Sequence, residues 1–281
     1  MSAELGLGTY RVRDAGHAAR TALAAGGQWI DTAPNYGHGS VHQALAPVLA
    51  EHPAAKVATK TGFHPGGRHS LAPGDVRAQT EESLSVLGRA DLVFVHNPEH
   101  HGHDRQQLQH GIREAFAVLE EFAHAGRIGR YGVATWNGFT SGAFTVAELT
   151  ALAREAAGSA DHHLGAVQMP VSIVMYDALA RALDGGGPFV EAHDAGLTTF
   201  GSAPLHGGEL MELMTPELVN LIQPGAAPSA AAFQVVGACP ALDVVLTPAR
   251  TLQRWEDARE ALTKPIPIGR LRTVLDVLSA D

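Results

Sequence analysis

The stretch KVATKTGFHPGGRHSLAPGDVRAQTEESLSVLGRADLVFVHN, residues 56–97, contains two β-like runs with a helical pattern between them. The runs at 56–62 and 91–97 are strand candidates. Between them, apolar residues recur at three- and four-residue spacing and a glycine closes the pattern, which is typical of a helix. The stretch therefore predicts a strand, a helix and a second strand in succession, the repeating unit of α/β folds.

This alternation continues along the whole chain of 281 residues. Eight strand candidates, each followed by a helical pattern, match a (β/α)₈ barrel, which typically takes about 250 residues. A doubly wound sheet would be favoured by G-x-G-x-x-G after the first strand, and GLGTYR lacks the third glycine. We expect a single-domain barrel over residues 1–281, with the amphipathic segment IGRLRTVLDVLSA outside it. The strand candidates are residues 5–10, 29–33, 56–62, 91–97, 130–135, 164–172, 197–203 and 242–249.

Composition narrows the possible functions. Hydrophobic residues make up 45% of the chain, which predicts a large core rather than disorder. The net charge of −9 argues against a nucleic-acid surface, which would need clustered positive charge. The single cysteine, Cys239, lies in an apolar stretch and predicts a packing residue. Two histidine-rich loops, EHHGHD and HPGGRH, lack the spacing of a zinc site, so no metal is expected.

The ends and the hydropathy of the chain bear on its location. The N-terminus, MSAELGLGTYRVRD, has no basic region followed by an apolar core, as a signal peptide would have. No apolar run approaches the roughly 20 residues of a membrane span. We expect a cytoplasmic monomer or small homo-oligomer that acts on a small molecule, without a membrane or nucleic-acid partner.

Polar side chains cluster at the ends of three consecutive predicted strands. Asp31 closes the second strand, Lys60 lies near the end of the third and His96 near the end of the fourth, while Tyr36 follows the second strand in DTAPNYGHGS. In a (β/α)₈ barrel the C-terminal strand ends converge on one face, where active sites lie. Each residue alone could be a turn, rim or surface residue. Together they predict a catalytic site.

This set suits proton transfer to a carbonyl oxygen. Tyrosine has a pKa near 10, and a neighbouring lysine ammonium would lower it, while a carboxylate would hold the lysine charged. Tyr36 would then be the general acid or base, Lys60 and Asp31 would tune it, and His96 would orient the same oxygen. Reduction of a carbonyl also needs a hydride carrier, which the side chains cannot supply.

The chain resembles the aldo-keto reductase family over nearly its whole length. The family's opening strand and its D-T-A-x-x-Y-G signature are similar to GLGTY and DTAPNYG. The resemblance implies a (β/α)₈ oxidoreductase that uses NADP(H) to interconvert an aldehyde or ketone and its alcohol, with Asp31, Tyr36, Lys60 and His96 as its catalytic tetrad. The other matching segments are VATK, DLVFVHNP, AGRIGRYGVATWN, AVQMP, SAPLHGGEL and PARTLQRWEDA.

The same resemblance implies where the cofactor binds. Gln168 in AVQMP would hold the nicotinamide carboxamide, and the family's Ser-Asn pair falls on Ala134 and Thr135. The family's usual Ser-Glu after the tyrosine loop reads Val41-His42 here. Ser202 falls where the family often has the aromatic residue that stacks on the nicotinamide. The remaining implied contacts are Leu205 in the pyrophosphate loop, Arg250, Thr251 and Arg254 for the 2′-phosphate, and Asp257 for the adenine.

Two other functions remain open from the sequence. The same site could perform acid/base chemistry without redox, as in a lyase, an isomerase or a pericyclic enzyme, or the chain could be a cofactor-sensing regulatory subunit. We expect the loops after the first, second and fourth strands to line the substrate pocket. Its predicted walls are Tyr10, Phe63, Asn97 and Trp136.

Overall fold

The computed structural model describes residues 3–248 and 251–279. Eight parallel strands pair in chain order, and the eighth pairs with the first to close a barrel. The predicted (β/α)₈ fold is confirmed. The strands are β1 (Glu4–Gly8), β2 (Trp29–Asp31), β3 (Lys56–Thr61), β4 (Leu92–His96), β5 (Arg130–Ala134), β6 (Leu164–Pro170), β7 (Thr198–Ser202) and β8 (Val244–Thr247).

Helices connect the strands and surround the barrel. The fifth begins with a capping box between Thr145 and Glu148 and ends at Gly158, which has the left-handed conformation that glycine adopts without strain. The last packs outside the barrel against the sixth and ninth, as its amphipathic pattern predicted. The helices are α1 (Ala15–Ala24), α2 (Val41–Glu51), α3 (Pro73–Leu87), α4 (Arg105–His124), α5 (Val146–Ala157), α6 (Asp177–Leu183), α7 (Gly187–Asp194), α8 (Leu210–Leu213), α9 (Pro216–Ile222), α10 (Pro228–Gly237), α11 (Leu252–Thr263) and α12 (Ile268–Ser279).

The inside of the barrel is a packed core. Phe94 and Phe200 meet edge to face near its centre, with ring centroids 5.6 Å apart. Gly132 on β5 is needed for this packing, because a Cβ there would lie 2.4 Å from the Ala166 carbonyl oxygen and 2.9 Å from the Phe94 ring. A larger second core joins the outer face of the strands to the helices. The interior therefore gives the strand ends a rigid base.

Some strands end earlier than the sequence pattern predicts. β1 ends at Gly8 and β2 at Asp31, each two residues before its predicted end. At this end of the pair, Thr9 bonds to the Asp31 carbonyl oxygen through both its backbone N–H and its hydroxyl. Arg11 then turns the chain with a φ of 56°. The residues released from the sheet form the loops above the C-terminal face.

Candidate active site

The four residues of the predicted tetrad meet at the C-terminal face of the barrel. Asp31 is the last residue of β2, His96 is the last of β4, and Lys60 is the last but one of β3. Tyr36 begins a short 3-10 helix, Tyr36–Gly39, in the loop after β2. Parallel strands bring their C-terminal ends to one face, so these residues are neighbours although they are far apart in sequence.

Asp31 and Lys60 form a buried ion pair. The Lys60 Nζ donates to the two carboxylate oxygens of Asp31 at 2.6 and 2.7 Å. Its third hydrogen bond, 3.0 Å long, goes to the carbonyl oxygen of Thr32. An ammonium has three donors, and all three are used by these bonds. Asp31 therefore holds Lys60 in position, and the ammonium has no donor left for another partner.

Tyr36 packs against this pair as a neutral phenol. The Lys60 Nζ lies 5.1 Å from the centroid of the Tyr36 ring. Burial raises the pKa of the Tyr36 phenol well above its usual value, and the charge of Asp31 and the nearby Tyr10 raise it further. This corrects the expectation of a net lowering of the pKa. The ammonium donates to Asp31 and Thr32 rather than to the phenol, so burial and Asp31 outweigh the effect of its charge. The protonated form is the one that can act as an acid.

His96 presents a neutral imidazole. Burial lowers the pKa of His96 well below its usual value, and Lys60, His69 and His100 lower it further. Its Nδ1 is buried and has no hydrogen-bond partner among residues 3–248 and 251–279. A buried N–H without an acceptor is costly, so we place the proton on Nε2. The ring lies 6.1 Å from the Tyr36 ring, and both line one cavity, where the Nε2–H could donate to a substrate oxygen.

That cavity, of about 860 Å³, reaches from the tetrad to α11. Its volume lies toward the upper end of the range for small-molecule sites, so it can take a ligand of considerable size. Of the residues assigned to the cofactor by resemblance, those that line it are Thr135, Gln168, Ser202, Leu205, Arg254 and Asp257.

Two further residues were assigned to the adenosine phosphate. The Thr251 hydroxyl caps α11 by accepting from the backbone N–H of Arg254 at 3.3 Å. Thr251 thus fixes the first turn of the helix that carries Arg254 and Asp257. Arg250 lies outside the described residues.

The loop after β7 is a tight turn held by its own backbone. Ala203, His206, Gly207 and Gly208 have positive φ values of 53°, 46°, 69° and 101°. Leu205, just before His206, has a negative φ of −110°. The N–H groups of His206 and Gly208 donate to the carbonyl oxygens of Ala203 and Leu205, at 2.9 and 2.8 Å, so they hold the shape of the loop. This loop lines the middle of the cavity.

Two of the side chains assigned to the nicotinamide are bonded within the protein. The Gln168 Nε2 donates to the Asp31 Oδ2 at 2.9 Å. The Thr135 hydroxyl donates to the Glu99 Oε1 at 2.7 Å and accepts from the Gly138 N–H at 2.8 Å. The amide oxygen of Gln168 is still available to a ligand, whereas the hydroxyl of Thr135 is engaged in its own loop.

The four predicted wall residues, Tyr10, Phe63, Asn97 and Trp136, all line the cavity. Sequence reasoning missed Glu99, whose carboxylate bonds the turn that carries Trp136. The only signal was an acidic residue directly after Asn-Pro in the loop following β4. Its partners lie 36 or more residues away, so the sequence pattern gave no way to identify them.

Behind the tetrad, His42 of α2 is buried at the position where the family usually has glutamate. Its Nε2 lies 3.2 Å from the Thr59 hydroxyl, beside Lys60 in the sequence. Burial lowers the pKa of His42 from 6.5 to about 4, and the charge of Lys60 adds to the effect. The imidazole is therefore neutral in the folded protein and helps to pack the base of the site.

This burial predicts an acid-sensitive contribution to stability. Between pH 6.5 and about 4 the unfolded chain binds a proton at His42 and the folded chain does not, so the free energy of unfolding falls as the pH falls. At about 1.4 kcal/mol per pH unit, the loss is about 3 kcal/mol. Urea unfolding at several pH values should show a smaller loss for His42→Gln than for the wild type. The exposed His17, changed to Gln, is the control and should behave like the wild type. An unchanged pH dependence in His42→Gln would contradict the prediction.

Three other features of the described residues bear on function. Over residues 3–248 and 251–279, there is no group of three or more His, Cys, Asp or Glu side chains that could hold a metal ion. Within the same ranges, no helix has both the length and the apolar character needed to cross a membrane. Cys239 is buried, as expected for a packing residue.

Solved structures share this architecture at low sequence identity. A glycerol dehydrogenase from Gluconobacter oxydans has a TM-score of 0.74 at 20% identity, with 98% of this chain and 91% of that chain covered. The holo form of an aldo-keto reductase from Bacillus halodurans has a TM-score of 0.73 at 18% identity, with 97% and 91% covered. The aldose reductase of Schistosoma japonicum has a TM-score of 0.65 at 19% identity, with 96% and 86% covered. At these identities the likeness shows the fold alone.

The amino-acid sequence itself matches the model of a known protein family. The model described as Aldo/keto reductase family matches residues 3–215, about three quarters of the chain. The match includes all four tetrad residues and ends before α11, which carries Arg254 and Asp257. No curated protein sequence matches the chain significantly. The chain belongs to the aldo/keto reductase family and is an oxidoreductase of that type.

Proposed function

We propose that the protein interconverts an aldehyde or ketone and the corresponding alcohol with NADP(H). The observation that carries this proposal is the position of the Tyr36 phenol and the His96 imidazole on one cavity, with the Lys60–Asp31 pair behind Tyr36. Two neutral donors at one point suit the oxygen of an uncharged carbonyl group. The same cavity continues to Arg254, which gives it a place for a phosphorylated cofactor.

The residues that line the cavity fit a dinucleotide. Gln168 can hold the carboxamide, the loop after β7 can border the pyrophosphate, and Arg254 can pair with a 2′-phosphate. When bound, the nicotinamide supplies or accepts the hydride that protein side chains cannot. The holo form of the Bacillus halodurans structure, with the same fold, adds support.

Each tetrad residue then has a distinct role. Tyr36 gives its proton to the carbonyl oxygen in reduction and takes one from the alcohol in oxidation. His96 donates from Nε2 to the same oxygen and orients it. Lys60 stabilises the phenolate that remains after proton transfer, and Asp31 keeps Lys60 charged and in position. Burial raises the pKa of Tyr36 and keeps the phenol protonated, which is the form that donates in reduction.

This function is tested by following the absorbance of reduced nicotinamide with a panel of aldehydes and ketones. We expect NADPH to be oxidised only when a carbonyl compound is present, with one alcohol formed per NADPH used. Conversion of the carbonyl compound without a change in NADPH would instead support the second candidate, acid/base chemistry without redox. That candidate is favoured by one observation, the engagement of the Thr135 hydroxyl within its own loop.

The choice of cofactor makes a separate prediction. Arg254 is the residue of α11 whose guanidinium can reach a 2′-phosphate from the cavity wall. Arg254→Ala should weaken NADPH binding about tenfold or more, because a charge-assisted hydrogen bond contributes about 1.5–3 kcal/mol. NADH binding should change little. Fluorescence titration with both cofactors measures the two constants.

Arg259→Ala is the matched control, since Arg259 lies exposed on the same helix and does not line the cavity. It should bind both cofactors like the wild type. Equal losses for NADPH and NADH in Arg254→Ala would show that Arg254 does not recognise the 2′-phosphate.

A further inference from the structure

Glu99 joins the loop after β4 to the turn after β5. It lies in the short 3-10 helix Pro98–His100, three residues after His96. Its Oε1 accepts from the Thr135 hydroxyl at 2.7 Å, from the Trp136 N–H at 2.9 Å and from the Asn137 N–H at 3.1 Å. A carboxylate that accepts several N–H and O–H bonds forms strong, charge-assisted links. One side chain therefore holds the start of this turn.

A second link runs between the same two loops. The N–H of Asn97 donates to the carbonyl oxygen of Ala134 at 2.6 Å. Asn97 has a φ of 47°, a left-handed conformation that costs energy for most residues but that asparagine tolerates better than most. This conformation turns the chain directly after His96 and directs Pro98–His100 toward β5. The loop that follows His96 is thus built to reach the turn after β5.

The turn itself has little freedom. The Thr135 hydroxyl accepts from the Gly138 N–H at 2.8 Å while it donates to Glu99. Gly138 is packed so closely that an added Cβ would lie 2.2 Å from the Phe144 ring. The backbone at Trp136 is thus fixed on one side by Glu99 and on the other by the packing of Gly138. The Trp136 side chain is 45% exposed and lines the cavity.

The second carboxylate oxygen of Glu99 makes this arrangement energetically costly. Oε2 is buried and has no hydrogen-bond partner in the described part of the chain. A buried carboxylate oxygen without a donor is unfavourable. A leucine would avoid that cost if Glu99 served only to fill space. Retention of a charge here fits a role that needs several donors gathered at one acceptor.

We propose that Glu99 is a positioning residue for substrate binding, which acts by fixing the turn at 135–138 and so the Trp136 wall of the cavity. This inference rests on the proposed function. Glu99 itself does not line the cavity, so its effect on the substrate passes through Trp136. Loss of the carboxylate should therefore weaken substrate binding more than it slows the chemical step.

Hydrogen–deuterium exchange tests the structural step without turnover. In Glu99→Ala, the amides of Trp136 and Asn137 lose their acceptor, so exchange in residues 135–138 should become about tenfold faster or more. Glu99→Gln keeps an acceptor oxygen, so its exchange rate in residues 135–138 should rise less. If the alanine variant does not fold, this glutamine variant tests the proposal in its place. Glu148→Gln is the control, because Glu148 accepts from the Thr145 N–H at the next helix start. Unchanged exchange at 135–138 in Glu99→Ala would overturn the proposal.

Steady-state kinetics test the functional step. Glu99→Ala should raise the KM for the carbonyl substrate about tenfold and change kcat by less than about threefold. In a Trp136→Ala background the same substitution should leave KM nearly unchanged, since the wall that it positions is gone. An equal rise of KM in both backgrounds, or a loss confined to kcat, would contradict the proposal. If no carbonyl compound is reduced at all, the proposed function fails, while the exchange result still shows whether Glu99 holds the turn.

Discussion

Replacing Tyr36 by phenylalanine should lower the rate of carbonyl reduction by about 10²–10⁴-fold, the usual contribution of a positioned acid or base. The fold and the binding of NADPH should be kept, because the change removes one hydroxyl from the cavity wall. The rate of the wild type should stay level between about pH 7 and about pH 9, since burial raises the pKa of Tyr36 and keeps the phenol protonated. Stopped-flow measurement of a single turnover gives the chemical step directly.

Tyr10→Phe is the matched control for this change. The Tyr10 ring lies 5.2 Å from the Tyr36 ring and lines the same cavity, but it is 58% exposed. Removal of its hydroxyl should cost little in the single-turnover rate. Comparable losses in the two variants would show that any hydroxyl at this end of the cavity matters, and that Tyr36 has no special role.

Replacing Lys60 by methionine should both destabilise the protein and stop the reaction. The Asp31 carboxylate would stay buried with one side-chain donor, Gln168, and breaking a buried ion pair costs about 3–5 kcal/mol. Removal of the charge that stabilises the phenolate should also lower the rate of reduction by a factor close to that for Tyr36→Phe. Urea unfolding and single-turnover rates measure the two effects.

Two further variants distinguish the effect of breaking the buried Lys60–Asp31 ion pair from the effect of removing any charge. The double variant Asp31→Leu/Lys60→Met should lose less stability than the two single losses added together, because neither charge is then left alone. Arg20→Met breaks an exposed pair with Glu51, at 2.9 Å, and should cost less than about 1 kcal/mol. If Lys60→Met lost as little free energy of unfolding as Arg20→Met, the result would contradict the claim that Lys60 and Asp31 form a buried ion pair.

The barrel and the neighbourhood of the tetrad could be predicted from the sequence for a simple reason. Strand and helix patterns alternate locally, and a (β/α)₈ barrel brings every strand end to the same face. Asp31, Lys60 and His96 each occupy such an end, so their meeting followed from the order of the strands alone. The fold needed no information about distant contacts.

The electrostatics and the second layer of contacts could not be predicted in the same way. The pKa of Tyr36 depends first on the burial of the phenol and then on the neighbouring Asp31 and Tyr10. The carbonyl oxygen of Thr32 takes one of the three N–H groups of Lys60. The bond from Gln168 to Asp31 joins residues 137 apart in the chain. Such bonds depend on the final packing of side chains. A pattern of residue types along the sequence does not contain that information.

The central claim is that Tyr36 and His96 hold and protonate the oxygen of a carbonyl compound in the cavity that they line, where bound NADPH would supply the hydride. NADPH deuterated at C4 of the nicotinamide tests this claim most directly, with the alcohol product analysed by mass spectrometry. For one of the two C4-deuterated forms of the cofactor, the account predicts one deuterium on the former carbonyl carbon of each product molecule, formed far more slowly by Tyr36→Phe. Alcohol without deuterium from either form, or a product formed without loss of NADPH, would contradict it.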